Sequence, residues 1–128
     1  RYRTSDAALL NLVYPAQLAR LDRADYDQVL RAIRPLVGAV GIKRYLGDSY
    51  QSGNFWFHTA KTDDTSSDAS FAERGTKFLP DSEAQWFFDS WYALALEKLG
   101  NRYGDAKLRE ESLRFLNRAL AQITPVTP

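Results

Sequence analysis

The sequence contains no cysteine, no methionine and only one histidine, His58. Without cysteine the chain can form neither disulfides nor thiolate metal sites, and a single histidine excludes the multi-histidine sites that hold zinc. We therefore expect neither a metal nor a cofactor. The absence of cysteine does not identify the cellular compartment. Because methionine is missing even at position 1, we expect the chain to be a segment of a longer protein.

An excess of charge of either sign is also missing. Seventeen basic and sixteen acidic residues give a net charge of +1, and the two signs are mixed along the chain. Nucleic-acid-binding domains concentrate basic residues on one face, so no nucleic-acid partner is expected. No apolar run approaches the ~20 residues of a transmembrane helix, so no membrane span is expected. The length of 128 residues suits a single segment, 1–128, with a hydrophobic core.

Apolar residues recur at helical spacing in four segments, which predicts an all-α fold. Pro15 should kink or end the first helix, and Thr4 or Ser5 is its expected N-cap. Ser82 and Gln85 fit a capping box at the start of the third helix. The expected helices span about 6–19, 22–34, 82–100 and 105–123.

The first and third predicted helices are apolar on nearly every side, whereas the second and fourth are amphipathic. This order predicts two helical hairpins, in which the first helix needs burial all round and the second keeps one face in water. Concentric helical barrels meet this requirement, whereas a simple four-helix bundle gives every helix a wet stripe. We therefore predict part of a larger α/α toroid. The competing interpretation is a self-sufficient bundle that associates with a copy of itself through its apolar faces.

A long connection, 47–80, separates the two predicted hairpins. Structureless loops longer than ~12–15 residues are usually functional or disordered. Its aromatic first part, which includes Tyr50 and Trp56, lies close in sequence to Arg44 and Asp48. Apolar walls with a few polar groups suit a ligand such as a sugar. The same rings could equally pin the loop to the helices.

Glu83 is the strongest catalytic candidate, because it lies at the predicted N-terminal end of the third helix. Inverting glycoside hydrolysis uses a general acid and a general base, with carboxyl groups ~6.5–9.5 Å apart. An acid at a helix N-terminus has a simpler explanation, which is a favourable interaction with the helix dipole.

Four basic residues are most simply a solvated surface: Arg31, Arg34, Lys43 and Arg44.

Several segments resemble, in the same order, those of glycoside hydrolase family 15, the glucoamylases and their relatives. Asp6-Ala-Ala-Leu-Leu resembles the family's Asp-Ala-Ser-Leu-Leu. Gly41-Ile-Lys-Arg-Tyr-Leu-Gly-Asp-Ser-Tyr is closer to Arg-Phe-Leu-Arg-Asp-Gly-Tyr of the glucoamylase-like domain in phosphorylase kinase alpha and beta regulatory subunits. Glu83-Ala-Gln-Trp-Phe-Phe resembles their Glu-Trp-Pro-(Leu/Val)-Phe-(Phe/Trp), and Asp89-Ser-Trp-Tyr stands where bacterial glucoamylases carry Ser-Phe-Trp. The resemblance extends over about 5–122.

This resemblance implies the C-terminal third of an (α/α)6 toroid that hydrolyses α-linked glucose oligomers with inversion. Glu83 would correspond to the late carboxylate, the general base, while the general acid would lie upstream of this chain. The resemblance places Arg44, Asp48 and Tyr50 near the sugar pocket, on the same face as Asp6. Together with Trp56 from the aromatic loop, these four residues are the candidate substrate-binding residues.

Two alternatives stay open. In the first, the chain belongs to a non-catalytic glucan-binding or regulatory domain, because the closest resemblance is to regulatory subunits. Otherwise the chain is a helical module that associates with a copy of itself. The expected partners are accordingly an α-glucan, the rest of the chain's own barrel, or a second copy.

Overall fold

The structure, a computed structural model, describes residues 4–17, 20–46, 48 and 84–122. Within these ranges the chain is helical and contains isolated β-bridges but no strand, so the all-α prediction is confirmed for this part. Among these residues, no helix combines the length and the apolar character that crossing a membrane requires. The helices are α1 (Arg23–Ile33), α2 (Asp89–Tyr103) and α3 (Ala106–Ala121), with two 3₁₀ helices, Ala7–Leu12 and Arg34–Leu36.

The chain divides into two compact units. The first unit comprises Arg1–Ala8 and Leu30–Trp86, and the second unit comprises Leu9–Val29 and Phe87–Pro128. Each unit contains a buried carboxylate paired with an arginine, described below for the second unit and in the next subsection for the first.

Helix α1 follows its sequence pattern. The predicted apolar stripe is buried along the whole helix: Tyr26, Val29, Leu30 and Ile33. At the N-terminus, the Asp22 carboxylate accepts a hydrogen bond from the Asp25 N–H at 3.0 Å, and the Asp25 carboxylate accepts one from the Asp22 N–H at 3.4 Å. Such reciprocal capping satisfies donors that the first helical turn leaves open. The helix ends before the second 3₁₀ helix, because Pro35 in that segment has no N–H to donate to a helical carbonyl.

In the second unit, a short turn joins α2 to α3. Gly104 has a φ of 63°, a left-handed conformation that glycine adopts without steric cost. The Asp105 carboxylate then caps α3, accepting hydrogen bonds from the N–H groups of Lys107 and Leu108 at 3.1 and 3.3 Å. The observed bounds of α3 lie within a few residues of those predicted for the fourth helix of the sequence.

The two helices pack directly against one another. The Ser112 hydroxyl donates a hydrogen bond to the Ala93 carbonyl at 2.7 Å. The rings of Tyr92 and Phe115 meet edge to face with centroids 4.7 Å apart. At Gly100, an added Cβ would lie 2.7 Å from Cγ of Arg109, so a side chain there would require Arg109 to shift.

A buried ion pair crosses the same interface. The Arg118 guanidinium donates from Nε and Nη2 to the two carboxylate oxygens of Asp89 at 2.5 and 2.6 Å. The Asp89 side chain is only 1% exposed, whereas that of Arg118 is 25% exposed. A buried carboxylate is tolerated only when it is paired and hydrogen-bonded, so this contact holds the start of α2 against α3.

The predicted first helix is wrong in type and length. The structure has a 3₁₀ helix, Ala7–Leu12, instead of a helix that extends to about residue 19. Asp6, rather than Thr4 or Ser5, is the capping residue, because its carboxylate accepts a hydrogen bond from the Ala8 N–H at 2.9 Å. Pro15, which lacks an N–H donor, follows soon after the helix ends.

The predicted start of the third helix is also wrong. Helix α2 begins at Asp89, several residues after the predicted capping box. Gln85 makes a different contact, because its side-chain oxygen accepts hydrogen bonds from the N–H groups of Val40 and Gly41 at 2.9 and 3.1 Å. These long-range bonds hold the segment around Gln85 outside the helix. Ser82, the other member of the predicted box, lies outside the described residues.

Removing the Arg118 guanidinium should destabilise the protein strongly. Arg118→Ala leaves the Asp89 carboxylate buried without a counter-charge, which costs about 3–5 kcal/mol. Arg114→Ala is a matched control, because Arg114 and Arg118 both lie over the Phe115 ring. Arg114, however, pairs with Glu111 at 3.9 Å, and 73% of its side chain is exposed. That change should cost at most about 1 kcal/mol. Denaturant unfolding of both variants measures the difference, and equal losses would contradict this account.

The stability should also depend on pH through Asp105. Its carboxylate accepts a hydrogen bond from Arg23 Nη2 at 2.7 Å. This bond, helped by the Leu108 N–H, holds the pKa of Asp105 below its ordinary value of 3.8. Because the folded pKa is the lower one, the contribution is complete above pH 3.8 and is lost as the pH falls through the folded pKa.

Asp105→Asn tests this dependence, since asparagine keeps the capping oxygen but loses the charge. At neutral pH the wild type should have the larger free energy of unfolding, and the gap should narrow below pH 3.8. A gap that stays constant as the solution is acidified would mean that the ion pair with Arg23 does not stabilise the fold.

Candidate functional site

In the first unit, two segments far apart in sequence pair through their backbones. Ile42 and Trp86 exchange two hydrogen bonds, at 3.0 and 2.9 Å, and the Ala84 N–H donates to the Asp48 carbonyl at 2.8 Å. Ile42 is fully buried and also bridges to Val37. The segment 84–86 therefore lies alongside 42–48, joined to it by backbone hydrogen bonds.

A second backbone pairing brings Asp6 to this region. Asp6 forms an antiparallel bridge with Tyr45, and the Ala7 N–H donates to the Arg44 carbonyl at 2.7 Å. The backbones of Asp6, Arg44 and Tyr45 thus lie side by side, although almost 40 residues separate them in the sequence. The Asp6 side chain is partly exposed and caps the first 3₁₀ helix.

The carboxylate of Asp48 is fully buried and has a donor on each oxygen. Arg44 donates from Nε to Oδ2 and from Nη2 to Oδ1, both at 2.7 Å. The Trp86 indole N–H also donates to Oδ2, at 3.0 Å. A forked arginine–carboxylate pair is both stronger and more strictly oriented than a single hydrogen bond. These three side chains, Arg44, Asp48 and Trp86, are called the Arg44 cluster below.

Arg44 and Trp86 are the partly exposed members of the Arg44 cluster. The Arg44 side chain is 35% exposed, against 0% for Asp48. The guanidinium carbon lies 4.6 Å from the centroid of the Trp86 ring and 5.5 Å from that of Tyr45. Both distances fall within the range of cation–π contacts. The guanidinium is therefore fixed by a carboxylate and flanked by two aromatic rings.

The prediction of a solvated basic surface is correct in part. Arg31 and Arg34 are exposed. Lys43 is buried, with 8% relative exposure, and Arg44 is engaged in the Arg44 cluster. The prediction is therefore wrong for Lys43, whereas Arg44 is partly exposed but paired with Asp48.

Three of the predicted site residues are brought together and three are not described. Asp6, Arg44 and Asp48 lie close together through the contacts above. Tyr50, Trp56 and Glu83 lie outside the described residues. The predicted loop 47–80 lies there too, except for Asp48.

Sequence reasoning missed Trp86. Its residue type was a signal, since a tryptophan three positions after Glu83 lies within one of the resembling motifs. The helical pattern assigned it to the third helix instead, and no local pattern reveals that its indole N–H meets a carboxylate 38 positions earlier.

The Arg44 cluster is suited to binding rather than to proton transfer. Arg44 and Asp48 cancel one another's charge, and Asp48 is closed to solvent with both oxygens occupied. The partly exposed Arg44 side chain lies beside flat rings, a combination that suits hydrogen bonds to polar groups and contacts with apolar ones. Within the described ranges, no three histidine or acidic side chains converge to hold a metal ion.

Comparisons with known proteins identify no relative. No protein-family model matches this chain, and neither a curated protein nor a solved structure matches it.

Proposed function

We propose that the protein carrying this chain binds α-linked glucose chains, and that the first unit supplies part of the sugar site. The observation that supports this most is the Arg44 cluster, a charge-neutral and partly exposed group flanked by aromatic rings. Hydroxyl groups of a sugar need fixed hydrogen-bond partners, and its apolar face suits a flat ring. The resemblance to the glucoamylases also implies that Asp6 is a sugar-site residue, and two backbone contacts hold Asp6 beside Arg44.

The proposed architecture is the C-terminal part of an (α/α)6 toroid, with the helices arranged as inner and outer pairs. Helix α2 supports it, because apolar residues lie on both its buried and its exposed sides. Tyr92 and Leu96 are fully buried, whereas Leu94 is 48% exposed. Neighbouring helices of a larger barrel would cover such an exposed face.

Within this architecture, Glu83 is the proposed general base of inverting hydrolysis. The general acid would come from a part of the protein upstream of this chain. Tyr50 and Trp56 would add aromatic contacts, and Asp6 and Arg44 would add polar ones. If the protein is instead a regulatory domain, the same residues bind glucan and no hydrolysis follows.

Substituting Arg44 should weaken glucan binding without unfolding the protein. Arg44→Lys keeps the positive charge that Asp48 requires but removes the forked geometry. We expect an affinity for maltoheptaose about tenfold or more weaker in the full-length protein, since hydrogen bonds to charged groups are worth about 1.5–3 kcal/mol. Arg31→Lys, the same exchange at an exposed position of α1, is the matched control. Equal affinities of both variants, measured by titration calorimetry, would sink the proposed role of Arg44.

Glu83→Gln separates the enzyme from the regulatory domain. This substitution keeps the shape of the side chain and removes its charge. If the full-length protein releases glucose from malto-oligosaccharides, the variant should lose ~100-fold or more of this activity, because general-base catalysis contributes 10²–10⁴-fold. Binding of glucan without any release of glucose would favour the regulatory domain.

A helical self-association module is the second candidate, and the surface of α3 favours it. Three leucines at helical spacing are exposed along this helix: Leu113 at 58%, Leu116 at 41% and Leu120 at 54%. Leu116 and Leu120 belong to the apolar stripe of the fourth predicted helix, yet both are exposed. A stable dimer that forms without glucan, seen by analytical ultracentrifugation, would favour this candidate.

A further inference from the structure

We infer that Trp86 is a wall of the sugar site, and that Asp48 positions it without touching the ligand. This inference rests on the proposed function. Trp86 is partly exposed, and its ring lies 4.6 Å from the guanidinium carbon that we assign to sugar binding. A tryptophan offers a large rigid contact surface with a polar N–H at its edge.

The indole is held from two directions. Its N–H donates to the buried Asp48 carboxylate at 3.0 Å. Its backbone exchanges two hydrogen bonds with Ile42. A ring fixed in this way loses little side-chain freedom when a ligand binds, which lowers the entropic cost of association.

The turn before Ile42 adds a further restraint on Trp86. An added Cβ at Gly41 would lie 2.6 Å from the Trp86 carbonyl oxygen, so the backbone passes here without room for a side chain. The neighbouring Gln85 oxygen accepts hydrogen bonds from Val40 and Gly41. Trp86 is thus positioned by backbone contacts before any ligand arrives.

Asp48 acts through its neighbours. Its carboxylate is fully buried, so a ligand meets Arg44 and Trp86 but not Asp48. The same carboxylate neutralises the Arg44 guanidinium, which lowers the attraction of this site for anions. The expected ligand is therefore an uncharged oligosaccharide rather than a phosphorylated or acidic one.

The experiment uses the ¹⁵N-labelled full-length protein and maltoheptaose. Each tryptophan gives an indole N–H signal, assigned by single substitutions. The Trp86 signal should shift on titration, whereas that of Trp91, whose N–H donates to the Tyr14 carbonyl in the second unit, should not. Trp86→Leu should weaken the affinity about tenfold, and Trp91→Phe should leave it unchanged. Asp48→Asn should move the Trp86 signal before any sugar is added.

Thermal unfolding of each variant shows whether it is folded, and Trp86→Phe serves as a milder variant if Trp86→Leu is not. If the wild type binds maltoheptaose while the Trp86 signal and the affinities of its folded variants stay unchanged, this inference is wrong and the proposed function stands. If the wild type binds no maltoheptaose, both are wrong. Tighter binding of a phosphorylated malto-oligosaccharide would overturn the assignment of an uncharged ligand.

Discussion

A carboxylate that is taken out of water must find its hydrogen-bond donors within the protein, and both units meet this constraint in the same way. Asp48 in the first unit and Asp89 in the second are almost completely buried, and each is held by a forked arginine. The desolvation cost makes these pairs intolerant of losing one partner. Because the donors come from different segments, each carboxylate also fixes chain segments to one another.

The sequence pattern predicted helices well where one face is apolar and the other polar. The stripe of α1 is buried as expected, and α3 lies within a few residues of its predicted bounds. The pattern failed where contacts from distant residues compete with helix formation. Local interactions alone would favour Gln85 in a capping box. Instead, its side-chain oxygen accepts hydrogen bonds from two N–H groups more than 40 positions earlier. Such bonds leave no trace in local periodicity.

For the candidate site, resemblance and chemistry indicated Asp6, Arg44 and Asp48, and the backbone brings them together. Neither the resemblance nor the chemistry could indicate that the Asp48 side chain is buried while that of Arg44 is partly exposed, because the fold around each side chain decides its exposure. Trp86 escaped prediction for the same reason. A residue that donates to a buried carboxylate across 38 positions is recognised only when both segments are in place. Three other predicted residues, Tyr50, Trp56 and Glu83, lie outside the described part of the chain.

The spacing within the Arg44 cluster has a consequence for how the protein tolerates insertions. Arg44 and Asp48 are four positions apart, so their pairing closes only a very short loop. Trp86 joins them from 38 positions away. The entropic cost of closing a flexible loop grows only with the logarithm of its length, by about 0.6 kcal/mol for each doubling. A longer connection between Asp48 and Trp86 should therefore weaken the Arg44 cluster only slightly.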